Sequence, residues 1–152
     1  MNEFDVRIQE AAFDVGAVND ALRAHSAGIG AIVSFVGVCR DRNEGDAVSE
    51  MWLEHYPGMT EKAIEAIVGE ARGRWQLLAV QVVHRVGRLR PGEPIVLVVV
   101  ASSHRRDAFE ACEFVMDYLK TRAPFWKREA TPEGARWVDA RASDGEALER
   151  WQ

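Results

Sequence analysis

At 152 residues, 47% of them apolar, the chain has the size and composition of one globular domain with its own core. No apolar run approaches the about 20 residues that span a bilayer, and the acidic, alternating start MNEFDVRIQE lacks the pattern of a secretory leader, so a soluble, cytoplasmic protein is expected. A net charge of −5 gives no reason to expect nucleic-acid binding, and two cysteines, Cys39 and Cys112, without a C-x-x-C pair argue against a disulfide framework or a cysteine-rich zinc site.

Residues 4–9 alternate Phe, Val and Ile with polar neighbours and predict a strand. Asp14 is placed to cap a helix running to about His25. GAIVSFVGV, 30–38, predicts a buried strand; CRDRNEGDA, 39–47, is a polar loop, and residues 48–56 alternate again. From Met59 to Trp75 the apolar residues Ile64, Ile67, Val68, Ala71 and Trp75 share one helical face. A strand is expected at 78–87 and a turn at Pro91-Gly92. The continuous run PIVLVVVA, 94–101, predicts a central strand. Ser102 or Ser103 would cap the next helix, whose core face is Ala108, Cys112, Val115, Met116 and Leu119, and Pro124 stops it. FWKREA, 125–130, reads as a strand, TPEG as a turn and RWVDAR, 136–141, as the returning strand of a hairpin. Residues 142–152 are expected as a polar tail after a single domain over 1–141. Mixed strands, helices and hairpins imply an α+β fold with a mixed or antiparallel sheet packed by helices.

Three features point to chemistry. The stretch from His84 to Arg128 carries nine Arg or Lys against five acids, a basic segment in an acidic protein. It suits a small anionic ligand, although a solvated face has the same composition. Within it, SSHRRD follows the central strand and opens a helix, where free backbone N–H groups beside His104 and Arg105 favour anions. Arg40, at the end of strand 30–38, opens a glycine-containing loop of the kind that carries ligand contacts. Only three lysines, Lys62, Lys120 and Lys127, stand among 19 cationic residues. Lysine, unlike arginine, can shift its pKa and exchange a proton or act as a nucleophile. Lys120 near a helix end and Lys127 after the Pro124 break are spaced to meet in one cleft. His84 and Arg85 read as structural, and the histidines show no zinc spacing.

The runs FVGVCR, LEHYPGMTEKA, HRVGRLRPGE, SSHRRDAFEA and MDYLKTRAPFWKREATPEGARWVDAR together resemble the large, catalytic subunit of molybdopterin synthases, the MoaE family, over about residues 30–141. The resemblance implies an α/β-hammerhead fold with a small additional β subdomain and no cofactor. It implies a homodimer of large subunits with a ubiquitin-like sulfur-carrier small subunit docked at each end, a heterotetramer in all. The small subunit's C-terminal thiocarboxylate is the sulfur donor. Two transfers to cyclic pyranopterin monophosphate give the molybdopterin dithiolene. The family's catalytic lysines fall on Lys120 and Lys127, its substrate contacts on Arg40, His104 and Arg105, and an arginine crossing the dimer on Arg141. Two other readings stay open. A non-catalytic module could hold a ubiquitin-like tail in the same cationic pocket. A persulfide sulfurtransferase would need an activated thiol, for which Cys39 beside Arg40 is the candidate.

Overall fold

The computed structural model describes residues 2–138 and 142–152. Two sheets and three long helices carry the α+β architecture. The first sheet has the order β1-β6-β8-β2. Here β1 is Phe4–Gln9, β2 Ala31–Val38, β6 Ala79–Arg85 and β8 Pro94–Ser102. β1 runs parallel to β6, while β6–β8 and β8–β2 are antiparallel, so the sheet is mixed. β8 is interior and buried on both faces, as its unbroken Ile/Val/Leu run predicts.

One face of this sheet carries α1 (Val15–His25), whose N-terminal amide of Ala17 donates to Asp14 Oδ1 at 3.0 Å, the expected cap. The other face carries α2 (Met59–Arg74) and α3 (Arg105–Arg122). The predicted core stripe of α3 is buried, and Ala111 and Phe114 join it. The expected serine cap of α3 is replaced. His104 is the N-cap residue and gives no side-chain cap. Ser102 Oγ instead accepts from the His104 amide at 3.3 Å and donates to Gln76 O, and Ser103 Oγ donates to Gly28 O. Both hydroxyls tie the strand end to neighbouring loops.

The second sheet, order β10-β9-β5-β7, is wholly antiparallel and forms the small added subdomain. It contains β5 (Glu50–His55), β7 (Gly87–Leu89), β9 (Phe125–Thr131) and β10 (Gly134–Val138). β7 departs from expectation, since the predicted strand 78–87 is broken. Gly87 takes φ +88, a left-handed conformation costly for other residues, and there the chain leaves one sheet for the other. The expected polar loop 39–47 holds a two-residue hairpin, β3 (Arg42–Asn43) with β4 (Asp46–Ala47), turned at Glu44-Gly45.

The segment 142–152 also corrects expectation, because it is docked rather than a free polar tail. It forms α4 (Ala142–Ala147) and a 3₁₀ turn, Leu148–Trp151. Trp151 is buried, edge-on to Trp75 (5.6 Å) and Phe114 (5.3 Å). Its Nε1–H donates to Asp117 Oδ2 at 2.7 Å, and its carbonyl accepts from Arg74 at 2.6 Å. One indole thus closes the end of the α2–α3 pair. Among the described residues no helix is long and apolar enough to cross a membrane.

Candidate active site

A cavity of about 430 Å³ opens where the two sheets meet the end of α3. Three chain segments deliver its cations. Arg40 and Arg42 follow β2, Lys120 sits in the last turn of α3, and Lys127 lies on β9. The helix stops at Arg122 because Pro124 forces Ala123 into extended backbone (φ −80, ψ 125). The chain reverses there, and both lysines line the one cavity, as the sequence spacing predicts. Apolar side chains from Met51, Leu53, Ile95, Leu119 and Phe125 line the remainder, so charges inside are screened less than at an open surface.

The cations do not stand alone. Lys127 and Glu129 share a face of β9 by strand alternation, and both line the cavity. Glu129 is buried, its carboxylate accepting from Asn43 Nδ2 at 2.8 Å with Arg136 at 3.7 Å. Arg136 also binds Asp46 at 2.7 Å and the Asn43 carbonyl at 3.4 Å. This network fastens the β3–β4 hairpin, and with it the loop after Arg40, to the lysine strand. A buried carboxylate is tolerable only with such partners.

The sequence predicts a structural role for His84; the structure puts it in the cavity wall. Its ring stacks on Phe125, centroids 4.0 Å apart and 20° from parallel. Nδ1 lies 2.8 Å from the Arg85 carbonyl; since a carbonyl only accepts, Nδ1 carries the proton and Nε2 the lone pair. Burial above all, then the nearby Lys120 and His55 charges, pull its pKa down to about 4, although the Arg85 bond opposes this. The imidazole is neutral at neutral pH and adds no third charge beside the lysines.

Cys39 lines the same cavity but is buried, and desolvation raises its pKa; Lys127 pulls the other way, less strongly. Cys112 is packed inside α3, its thiol pushed up to about 12 by burial. Neither environment favours the thiolate that a persulfide enzyme requires. Among the described residues no group of three His, Cys, Asp or Glu side chains is placed to hold a metal ion.

His104 and Arg105 lie elsewhere. They begin α3 while Lys120 ends it, a separation of roughly 22 Å at the helical rise. Within one chain the expected grouping of Arg40, His104 and Arg105 in a single pocket therefore does not form. Arg141 lies outside the described residues. Sequence reading missed His84, Glu129 and Asn43; the alternation of WKREA, which sets Lys127 and Glu129 on one face, was the available signal for Glu129.

Known proteins match this chain over most of its length. A family model described as MoaE protein matches residues 8–122. The chain is 60% identical over 147 residues to the molybdopterin synthase catalytic subunit of Pseudomonas aeruginosa, covering 97% of this chain and 98% of that protein. It is similar to the solved molybdopterin biosynthesis MoaE protein of Burkholderia ambifaria, at 58% identity and TM-score 0.83, with 96% of each chain covered. It also matches a molybdopterin synthase crystal structure from Staphylococcus aureus at 28% identity and TM-score 0.80, covering 91% of this chain and 98% of that one. On sequence, fold and extent of match, the chain belongs to the MoaE family.

Proposed function

We propose that the chain is the catalytic subunit of a molybdopterin synthase and acts as a sulfurtransferase. The observation that carries this reading is the convergence of Lys120, Lys127 and Arg40 on one half-enclosed cavity. The donor, a thiocarboxylate at the C-terminus of a ubiquitin-like small subunit, and the acceptor, cyclic pyranopterin monophosphate, are both anions. Holding them together needs cations, each worth on the order of 4 kcal/mol at 4 Å near a protein surface. In each transfer the sulfur forms a bond to a pterin side-chain carbon as an oxygen leaves. Water then cleaves the acyl–sulfur bond, leaving a carboxylate on the small subunit and a thiolate on the pterin. Lys120 positions and polarises the thiocarboxylate or its acyl intermediate, and Lys127 supplies a proton or a balancing charge, with the two roles open to exchange.

Arg40 contacts the substrate from this chain. Arg141 is proposed to reach the neighbouring protomer's site in a homodimer. His104 and Arg105 are proposed substrate contacts too, reaching the cavity from the second copy of the homodimer. The reading is tested by a single-turnover reaction of the purified chain with thiocarboxylated small subunit and precursor. Molybdopterin formation with loss of the thiocarboxylate is expected. Tight capture of the tail without any carbon–sulfur bond formation would instead establish the non-catalytic module.

A further inference from the structure

The hairpin after β2 brings a fourth cation to the cavity, Arg42 on β3. The family resemblance assigns Arg40 in this segment and not Arg42. The Arg42 side chain is exposed and makes one weak bond, from Nη1–H to the Gly45 carbonyl at 3.4 Å. Among the described residues no carboxylate lies within ion-pair distance of Arg42 or of Arg40. Arginines elsewhere differ, since Arg85, Arg88, Arg106, Arg122, Arg136 and Arg150 each meet an acid. Most of the N–H donors of Arg42 are thus open to an anion in the cavity. Three acids also line that space, Glu44, Glu129 and Asp144, but the buried Glu129 is already matched by Asn43 and Arg136.

The side chain is loosely held, yet its backbone is braced. The Val48 amide donates to the Asp41 carbonyl at 2.7 Å and closes the hairpin at its base. Glu44 and Gly45, with φ +53 and +85, make the tight two-residue turn at its tip. Asn43 donates to Glu129 at 2.8 Å, and Arg136 holds Asp46 at 2.7 Å, so both strands of the hairpin are tied to β9 and β10. None of these bonds uses a group that a bound tail or pterin would supply. The position of Arg42 therefore does not depend on what fills the cavity.

The chemistry needs such a cation. Two transfers require two donors, so a spent small subunit leaves and a fresh one arrives while the half-made pterin waits. In that interval the tail is absent. The pterin has meanwhile gained a thiolate, so its negative charge is larger than that of the precursor. We propose that Arg42 is a second substrate-binding arginine of this chain, which holds the thiolate-bearing pterin in the cavity while the small subunits exchange. This rests on the sulfur-transfer reading above and adds to it a residue that retains the intermediate.

The test supplies the purified chain with precursor and one thiocarboxylated small subunit per cavity. Bound and free pterin are separated by rapid gel filtration and identified by mass spectrometry, and a second portion of donor follows. Wild type should carry the bound monosulfurated pterin on to product. Arg42→Ala and Arg42→Gln should lose it to solution about tenfold more often relative to product, whatever their rate of first transfer. Arg42→Lys, which keeps the charge, should fall between them and wild type. Raised salt should loosen the intermediate from wild type more than from Arg42→Gln. A folded Arg42→Gln chain that partitions the intermediate as wild type does overturns the assignment. So does a series in which the alanine, glutamine and lysine variants all fail alike, which makes Arg42 a prop of the hairpin. A wild-type chain that forms no carbon–sulfur bond strikes the sulfur-transfer reading itself, and the role of Arg42 falls with it.

Discussion

Lowering the pH should destabilise this protein through one side chain, His84. In the folded chain its pKa is about 4 against 6.5 for the free side chain. The unfolded chain therefore takes up a proton between these values while the folded chain refuses it. The contribution is fully present above pH 6.5 and is lost as pH falls towards 4. The difference of about 2.5 units corresponds to roughly 3 kcal/mol, at a slope of at most ~1.4 kcal/mol per pH unit. Carboxylates also titrate at the acid end, so the comparison must be with a variant that lacks the imidazole. His84→Asn keeps an N–H donor for the Arg85 carbonyl and removes the titration. Urea unfolding followed by tryptophan fluorescence at pH 7, 6, 5 and 4.5 gives both curves. The variant should be less stable at pH 7, through lost stacking on Phe125, yet lose about 2 kcal/mol less than wild type between pH 7 and 4.5. Parallel curves would refute the claim that His84 is held neutral by burial.

Replacing both thiols, Cys39→Ser with Cys112→Ala, should leave sulfur transfer from pre-formed thiocarboxylated small subunit within a few fold of wild type; a folded double variant that makes no molybdopterin would revive persulfide chemistry. Trp151→Ala should cost about 3–5 kcal/mol in chemical denaturation, because it empties the ring cluster with Trp75 and Phe114; a change under 1 kcal/mol would mean the C-terminal segment is not docked in solution. Arg105→Ala should weaken precursor binding in calorimetry, and added salt should weaken it further in wild type; unchanged affinity removes Arg105 from the substrate site.

Much of this molecule was legible in its sequence because period and punctuation agree. The α3 stripe Ala108–Cys112–Val115–Met116–Leu119, the Asp14 cap and the buried run 94–101 all follow from local rules and survive in the fold. The meeting of Lys120 and Lys127 followed from a helix end, one proline and a strand, all within eight residues. What escaped depended on distant partners. Trp151 gave no periodic signal, and its burial depends on Trp75 and Asp117 from two other elements. His84 alternates like any strand residue, and only the packing of β9 against β6 makes it a cavity wall. Local chemistry allows the serines before α3 to cap it, but the Gln76 and Gly28 carbonyls compete for their hydroxyls. The grouping of His104 with Arg40 came from the family resemblance, whereas the helix expected between Ser103 and Pro124 already sets His104 a helix length away from Lys120.

The proposed mechanism needs one of the two cavity lysines to give up a proton, and Lys120 is the first to test for it. Its most direct test is the single-turnover rate of Lys120→Arg beside Lys120→Ala, with thiocarboxylated small subunit and precursor, and tail affinity measured separately. Lys120→Ala should be slowed about 100- to 1000-fold with the fold intact. Lys120→Arg should hold the small subunit nearly as well as wild type yet remain slowed by at least about tenfold, because guanidinium keeps the charge but cannot give up a proton. An arginine variant that transfers sulfur at the wild-type rate would contradict the account and leave Lys120 as a binding charge.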